Sequence, residues 1–127
     1  VIPVLGGPGL EAAEQLLARA GCLRPEHPWM VGEDTAAAPR IDFAVLADRA
    51  CLLDLSEEAV ARIAVSLATG RPVDLRSAFG HLTRDHAQLV MIALAVAGGH
   101  DRVGSRIRVV GDERRVETAP PLAVWPS

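Results

Sequence analysis

The chain has 127 residues, a mass of 13.4 kDa and a formal charge of −3, with half of its residues hydrophobic and 3% aromatic. That length suits one domain able to bury roughly two thirds of the surface its unfolded chain exposes, so no disulfide framework is required. The scarcity of aromatics excludes the stacking platforms that hold single-stranded nucleic acid.

All thirteen basic residues are Arg, and with abundant Ala, Gly and Pro this is the composition of a GC-rich bacterial genome. Arg can grip phosphate or carboxylate with two donors at once. Residues 1–65 carry five Arg against ten Asp and Glu, and residues 66–127 carry eight against six, so the halves have net charges of −5 and +2. An anionic partner is therefore expected on the second half. Cys22 and Cys51 sit in apolar surroundings, "ARAGCLRPE" and "DRACLLDLS", and read as two reduced, buried thiols. No signal peptide is evident, and the uncharged runs fall short of the roughly 20 residues a spanning helix needs. A cytoplasmic protein without a membrane partner is expected. The chain opens on Val1 rather than Met, as a piece of a larger protein would.

In chain order, "VIPVLGGPG" reads as a short apolar strand or arm entering a turn. "LEAAEQLLARAG" follows as an amphipathic helix, with Leu10, Ala13, Leu16, Leu17 and Ala20 on one face and Gly21 as its C-terminal cap. A glycine loop before a helix can cradle phosphate, but "GGPG" lacks the Lys-Ser/Thr of a P-loop and the spacing of a dinucleotide fingerprint. Residues 23–40 read as a proline-rich loop with an acidic turn and a brief strand at Trp29–Val31. "IDFAVLADRACLLDL" reads as a hairpin or bent strand pair. Ser56, followed by Glu57 and Glu58, is the expected cap of a helix that reaches Gly70 and turns Val60, Ile63, Ala64 and Leu67 inward. A short helix capped by Asp74 and a longer one capped by Thr83 come next. "SRIRVVGDERRVET" then alternates around Gly111 as a two-stranded hairpin. The tail over 119–127 is too rich in proline for regular structure, with Trp125 as its anchor. The expected class is thus α+β and mostly helical with short hairpins, in a single domain: helix and short strands over 1–55, a compact unit over 56–118, and the irregular tail.

The order helix, short helix, tight turn, longer helix, hairpin resembles a winged helix-turn-helix over residues 56–118. Within "SAFGHLTRDHAQLV" the residues carrying the resemblance are Ser77, Leu82, Thr83, Ala87 and Val90. Arg76 stands where the pattern has an apolar residue, and Gly80 stands one place early for the turn glycine. The resemblance implies a DNA-binding or transcription-regulatory module. The start of its recognition helix (Arg84, Asp85, His86 and Gln88) would face the major groove, and Arg106, Arg108, Arg114 and Arg115 on the wing would lie near phosphate. Asp85 opposes that role by repelling phosphate.

A protein–protein interaction module on the same fold, such as an adaptor, an immunity protein or an assembly domain, is the alternative. The charge map discriminates: one continuous arginine face favours DNA, and dispersal of the arginines into ion pairs with Asp112, Glu113 and Glu117 favours the adaptor. "LVMIALAVA" is apolar almost all round, so a homodimer or hetero-complex is expected to cover it. In the hairpin, alternation sends Ile107 and Val109 to one face and Arg106 and Arg108 to the other, and Arg114 and Arg115 cannot share a face. His81 and His86 are five apart, which does not bring two imidazoles to one helix face, and no CxxC or HExxH is present, so no metal or cofactor is expected. His100 follows a glycine pair, where an imidazolium would suit a helix C-terminus. No GxSxG or protease-like cysteine context points to an enzyme.

Overall fold

Pro8 suits the first turn of a helix, where its missing N–H has no partner to lose, and Gly7 precedes it at φ 87°. The computed structural model, which describes residues 7–31 and 40–126, begins there with α1 (Pro8–Arg19). Ala12, Ala13, Leu16 and Leu17 form its buried face. Past Ala20 the chain turns at Gly21, φ 80°, and the N–H groups of Gly21 and Cys22 donate to the carbonyls of Ala18 and Leu17 at 3.3 and 3.0 Å. This pairing satisfies the last carbonyls of the helix, as the C-terminal glycine implies.

The brief strand is β1 (Met30–Val31), paired antiparallel with β2 (Arg40–Ile41). Trp29 is fully buried, and its indole N–H donates to the Cys22 carbonyl at 3.0 Å. The expected strand or arm over residues 1–5 and the acidic turn at Glu33 and Asp34 lie outside the described residues.

Two readings need correction. The apolar runs after Ile41 are not strands: they form α2 (Phe43–Arg49) and a 3-10 turn over Ala50–Leu52. Asp42 decides this locally, because its Oδ1 accepts the N–H groups of Ala44 and Val45, both at 3.1 Å. Leu46 and Ala50, four apart, then reach the core. Ser56 is likewise not a cap. The cap of α3 (Leu55–Thr69) is Asp54, whose carboxylate accepts the Glu57 N–H at 2.8 Å, and Ser56 is left buried within the first turn.

The rest follows the sequence closely. Asp74 caps α4 (Leu75–His81) by accepting the Ser77 N–H at 3.2 Å, and Thr83 caps α5 (Arg84–Ala97). Gly99 ends α5 at φ 79°. The hairpin β3 (Gly104–Val110) and β4 (Glu113–Ala119) closes through Gly111, φ 63°, and Asp112. The tail returns to α1, where the Arg19 guanidinium lies 5.1 Å over the Trp125 ring and donates to the Pro126 carbonyl at 2.9 Å.

The protein is α+β, with helices α1 to α5 and two small antiparallel sheets among the described residues. One apolar cluster draws on all five helices. No helix among the described residues is long and apolar enough to cross a membrane. α3 lies at the centre of the packing, against α1, α2, α4 and α5.

The glycine loop acquires a packing explanation here. A Cβ on Gly9 would lie 2.6 Å from the Leu67 carbonyl oxygen, so α1 approaches the end of α3 as closely as it does because residue 9 has no side chain. Gly9→Ala should therefore destabilise the fold, with overpacking of about 1–3 kcal/mol outweighing the gain of about 1 kcal/mol from helix propensity. A thermal melt showing Gly9→Ala equal to or more stable than the wild type would contradict this approach of the two helices.

Candidate functional site

Two features stand out, and the first follows from the caps. At the start of α5, Thr83 Oγ1 accepts the His86 N–H at 3.3 Å. The buried Ser56 hydroxyl reaches across from α3: it accepts the Thr83 N–H at 2.9 Å and lies 2.6 Å from His86 Nδ1. This hydroxyl therefore ties the first turn of α3 to the first turn of α5. His86 is turned inward and half-buried, whereas Arg84, Asp85 and Gln88 are exposed.

A serine beside a histidine also invites a catalytic reading. The surroundings oppose it, because Ser56 is only 8% exposed and its oxygen already holds a backbone N–H. The nearby cavity between α3 and α4, about 180 Å³, is lined by Glu58, Arg62, Asp74 and His81 among others, and by neither Ser56 nor His86. Among the described residues no group of three His, Cys, Asp or Glu side chains is placed to hold a metal ion.

The second feature is the hairpin. Directly opposed residues share a face, so the register puts Arg106 with Glu117, Arg108 with Arg115 and Val110 with Glu113 on one side, and Ile107 with Val116 and Val109 with Arg114 on the other. The expected alternation of Ile107 and Val109 against Arg106 and Arg108 is present, and Arg114 and Arg115 point to opposite faces. On the charged face Arg106 and Arg108 both pair with Glu117, at 3.6 and 3.4 Å, and Arg115 pairs with Glu113 at 3.3 Å. Asp112 joins none of these ion pairs. The structure thus gathers three of the seven sequence-selected site residues, Arg106, Arg108 and Arg115, on one face, sets Arg114 behind them, and turns His86 away.

Sequence reasoning misses how open this element is. Every residue from Gly104 to Val116 is exposed. Ile107 and Val109 are each 66% exposed and Val116 is 75% exposed, so nothing among the described residues covers the apolar face. The alternation is visible in the sequence, but no local signal says whether an apolar face will find a core. α5 also keeps apolar side chains outside: Val90 and Val96 are buried, whereas Met91 and Leu94 stay at the surface beyond Gln88.

Of the two thiols, Cys22 is buried as expected and Cys51 is not. Cys22 is buried, and burial first, then the charges of Glu57 and Asp54, pushes its pKa up to about 12. Cys51 is exposed, because the helical course of α2 and its 3-10 turn faces Ala50 inward and leaves its neighbour outside.

No family model, no curated protein and no solved structure matches the chain.

Asp54 gives this region a pH dependence. The Glu57 N–H, and more weakly the nearby His86, hold its carboxyl below the ordinary range. A depressed carboxyl contributes stability that is present above its unfolded pKa and lost as pH falls through the folded value. Asp54→Asn keeps an oxygen acceptor but no charge, so it should melt below the wild type at neutral pH, with the gap closing on acidification through the carboxylate range. A gap that does not change with pH would contradict the role of the charge.

Proposed function

We propose that the chain is a non-enzymatic protein–protein interaction module in which α3, α4 and α5 form a winged-helix-like unit and the hairpin is a wing turned toward a protein. One observation carries the reading. Arg106, Arg108 and Arg115 are spent on Glu113 and Glu117, while Ile107, Val109 and Val116 are exposed. A wing that grips phosphate needs surplus positive charge along the backbone path. Residues 104–119 carry four Arg against three Asp and Glu, a surplus of one. An uncovered apolar face next to paired charges is the make-up of a protein interface, apolar at its centre and polar at its rim.

A DNA-binding, transcription-regulatory role is the second reading. It is favoured by Arg84 and Gln88, which are exposed at the start of α5, and by Arg114, which has no ion pair among the described residues. Phosphate could also draw Arg106 and Arg108 away from Glu117, since exposed ion pairs contribute little.

Titration of random duplex DNA over a range of salt concentrations separates the two. The interaction reading predicts no measurable binding even at low salt, for the wild type and for Arg106→Ala/Arg108→Ala alike, with the double variant melting close to the wild type. Binding that falls steeply with salt, with a slope reduced by about one unit per lost phosphate contact in the double variant, would overturn it in favour of DNA.

A further inference from the structure

Among the described residues, nothing pairs with either edge of the hairpin. No backbone hydrogen bond joins residues 104–119 to any other described part of the chain, and the sheet has two strands. An isolated two-stranded hairpin is marginal in water, and an open edge is a template for another strand.

The edges are not equivalent. Counting from the two-residue loop, Val110 and Glu113 form the closing hydrogen-bonded pair, and hydrogen-bonded and non-bonded pairs alternate from there. The backbone N–H and C=O groups of Arg114, Val116 and Thr118 therefore point outward along β4, as do those of Ser105, Ile107 and Val109 along β3. If β3 met itself antiparallel about its midpoint, Arg106 would oppose Arg108 twice, so that edge repels its own copy.

β4 behaves oppositely. Pairing it with itself about its midpoint, Val116, overlaps all seven residues: Val116 meets Val116, Arg114 meets Thr118, Glu113 meets Ala119, and Arg115 meets Glu117 at both symmetry-related positions. The outward-pointing residues 114, 116 and 118 face one another in this register, as an antiparallel ladder requires. Moving the axis to Arg115 opposes Arg115 to itself and Glu113 to Glu117, and moving it to Glu117 opposes Glu117 to itself. Of these, only the full-length overlap matches charge.

We infer that the occupant of the β4 edge is β4 of a second copy of this chain, paired antiparallel about a two-fold axis at Val116, which makes one four-stranded sheet of two hairpins. This rests on the interaction reading given above and names its partner. The pairing also relieves a fault in the single hairpin, where Arg108 and Arg115 are directly opposed like charges: in the dimer Glu117 of the second copy lies on the other side of Arg115. Ile107 and Val116 of both copies line up in one apolar row across the four strands. Pro120 and Pro121 end the ladder at Ala119. Because the strands run antiparallel, the two helical bodies lie at opposite ends of a sheet roughly 24 Å long and do not collide.

A charge swap tests the register. By sedimentation equilibrium the wild type should be a dimer. Arg115→Glu sets a carboxylate against Glu117 at both symmetry-related positions, and Glu117→Arg sets a guanidinium against Arg115, so each variant alone should associate at least about tenfold more weakly. When the two variants are mixed, the introduced carboxylate of one opposes the introduced guanidinium of the other. The native Glu117 of the first then opposes the native Arg115 of the second, and a heterodimer should form. The double variant Arg115→Glu/Glu117→Arg should dimerise again. A monomeric wild type, single variants that dimerise as well as the wild type, or a mixture that stays monomeric would each overturn the proposal. The duplex DNA titration separates this failure from that of the broader reading: a monomer that ignores DNA has lost only the second copy as its partner, whereas a monomer that binds DNA has lost both.

Discussion

The close approach of α1 to α3 is the constraint on which the rest of the arrangement depends. A core with few aromatic side chains can be filled only if helix axes come near one another, and small residues allow that. Gly9 permits contact with the Leu67 backbone, and Ala12, Ala13, Ala59, Ala64 and Ala93 are buried along the facing helices. α3, touched by four other helices, is accordingly buried over most of its girth, from Ala59 to Ala61 and from Ile63 to Val65. Trp29 is the largest fully buried side chain among the described residues and belongs to the same core cluster.

Directional bonds then fix what close packing alone leaves adjustable. The Ser56 hydroxyl joins the first turns of α3 and α5, and the bond between Trp29 and the Cys22 carbonyl secures the segment after α1. With the helices and the Trp125 tail in place, the apolar cluster is formed without any residue of β3 or β4. The hairpin gains nothing from that core and gives nothing to it. Its apolar face and open edges are therefore available to something outside the chain, and this is why the interaction reading centres on it rather than on the shallow cavities of the helical body.

Much of this is legible in the sequence because it is local. Asp74, Thr83, Gly21 and Gly111 act where their side chains or positive φ values are needed within a few residues. The faces of α1 and α3 follow from helical spacing, and those of the hairpin follow from alternation. What is not legible depends on distant partners. "FAVLADR" opens on a short apolar run that reads as strand, and the Asp42 cap together with the placement of Leu46 and Ala50 against α3 decides for helix. Ser56 reads as a cap because two glutamates follow it, yet its hydroxyl serves α5, with His86 thirty residues away in sequence. The exposure of Ile107, Val109 and Val116 is the same kind of fact: whether an apolar face is covered is decided by the whole fold. The pairing of Arg106 and Arg108 with Glu117 is of this kind too, because it depends on strand register.

The outer edge of β4, and not that of β3, is on this view the working surface of the protein. Amide hydrogen exchange in the wild-type protein tests that claim most directly, since an N–H exchanges slowly only when it is held in a hydrogen bond or otherwise closed to solvent. The prediction is slow exchange at Arg114, Val116 and Thr118, comparable to the inward-pointing amides of Arg115 and Glu117, together with fast exchange at Ser105, Ile107 and Val109 on the opposite edge. Equally fast exchange along both edges would contradict it.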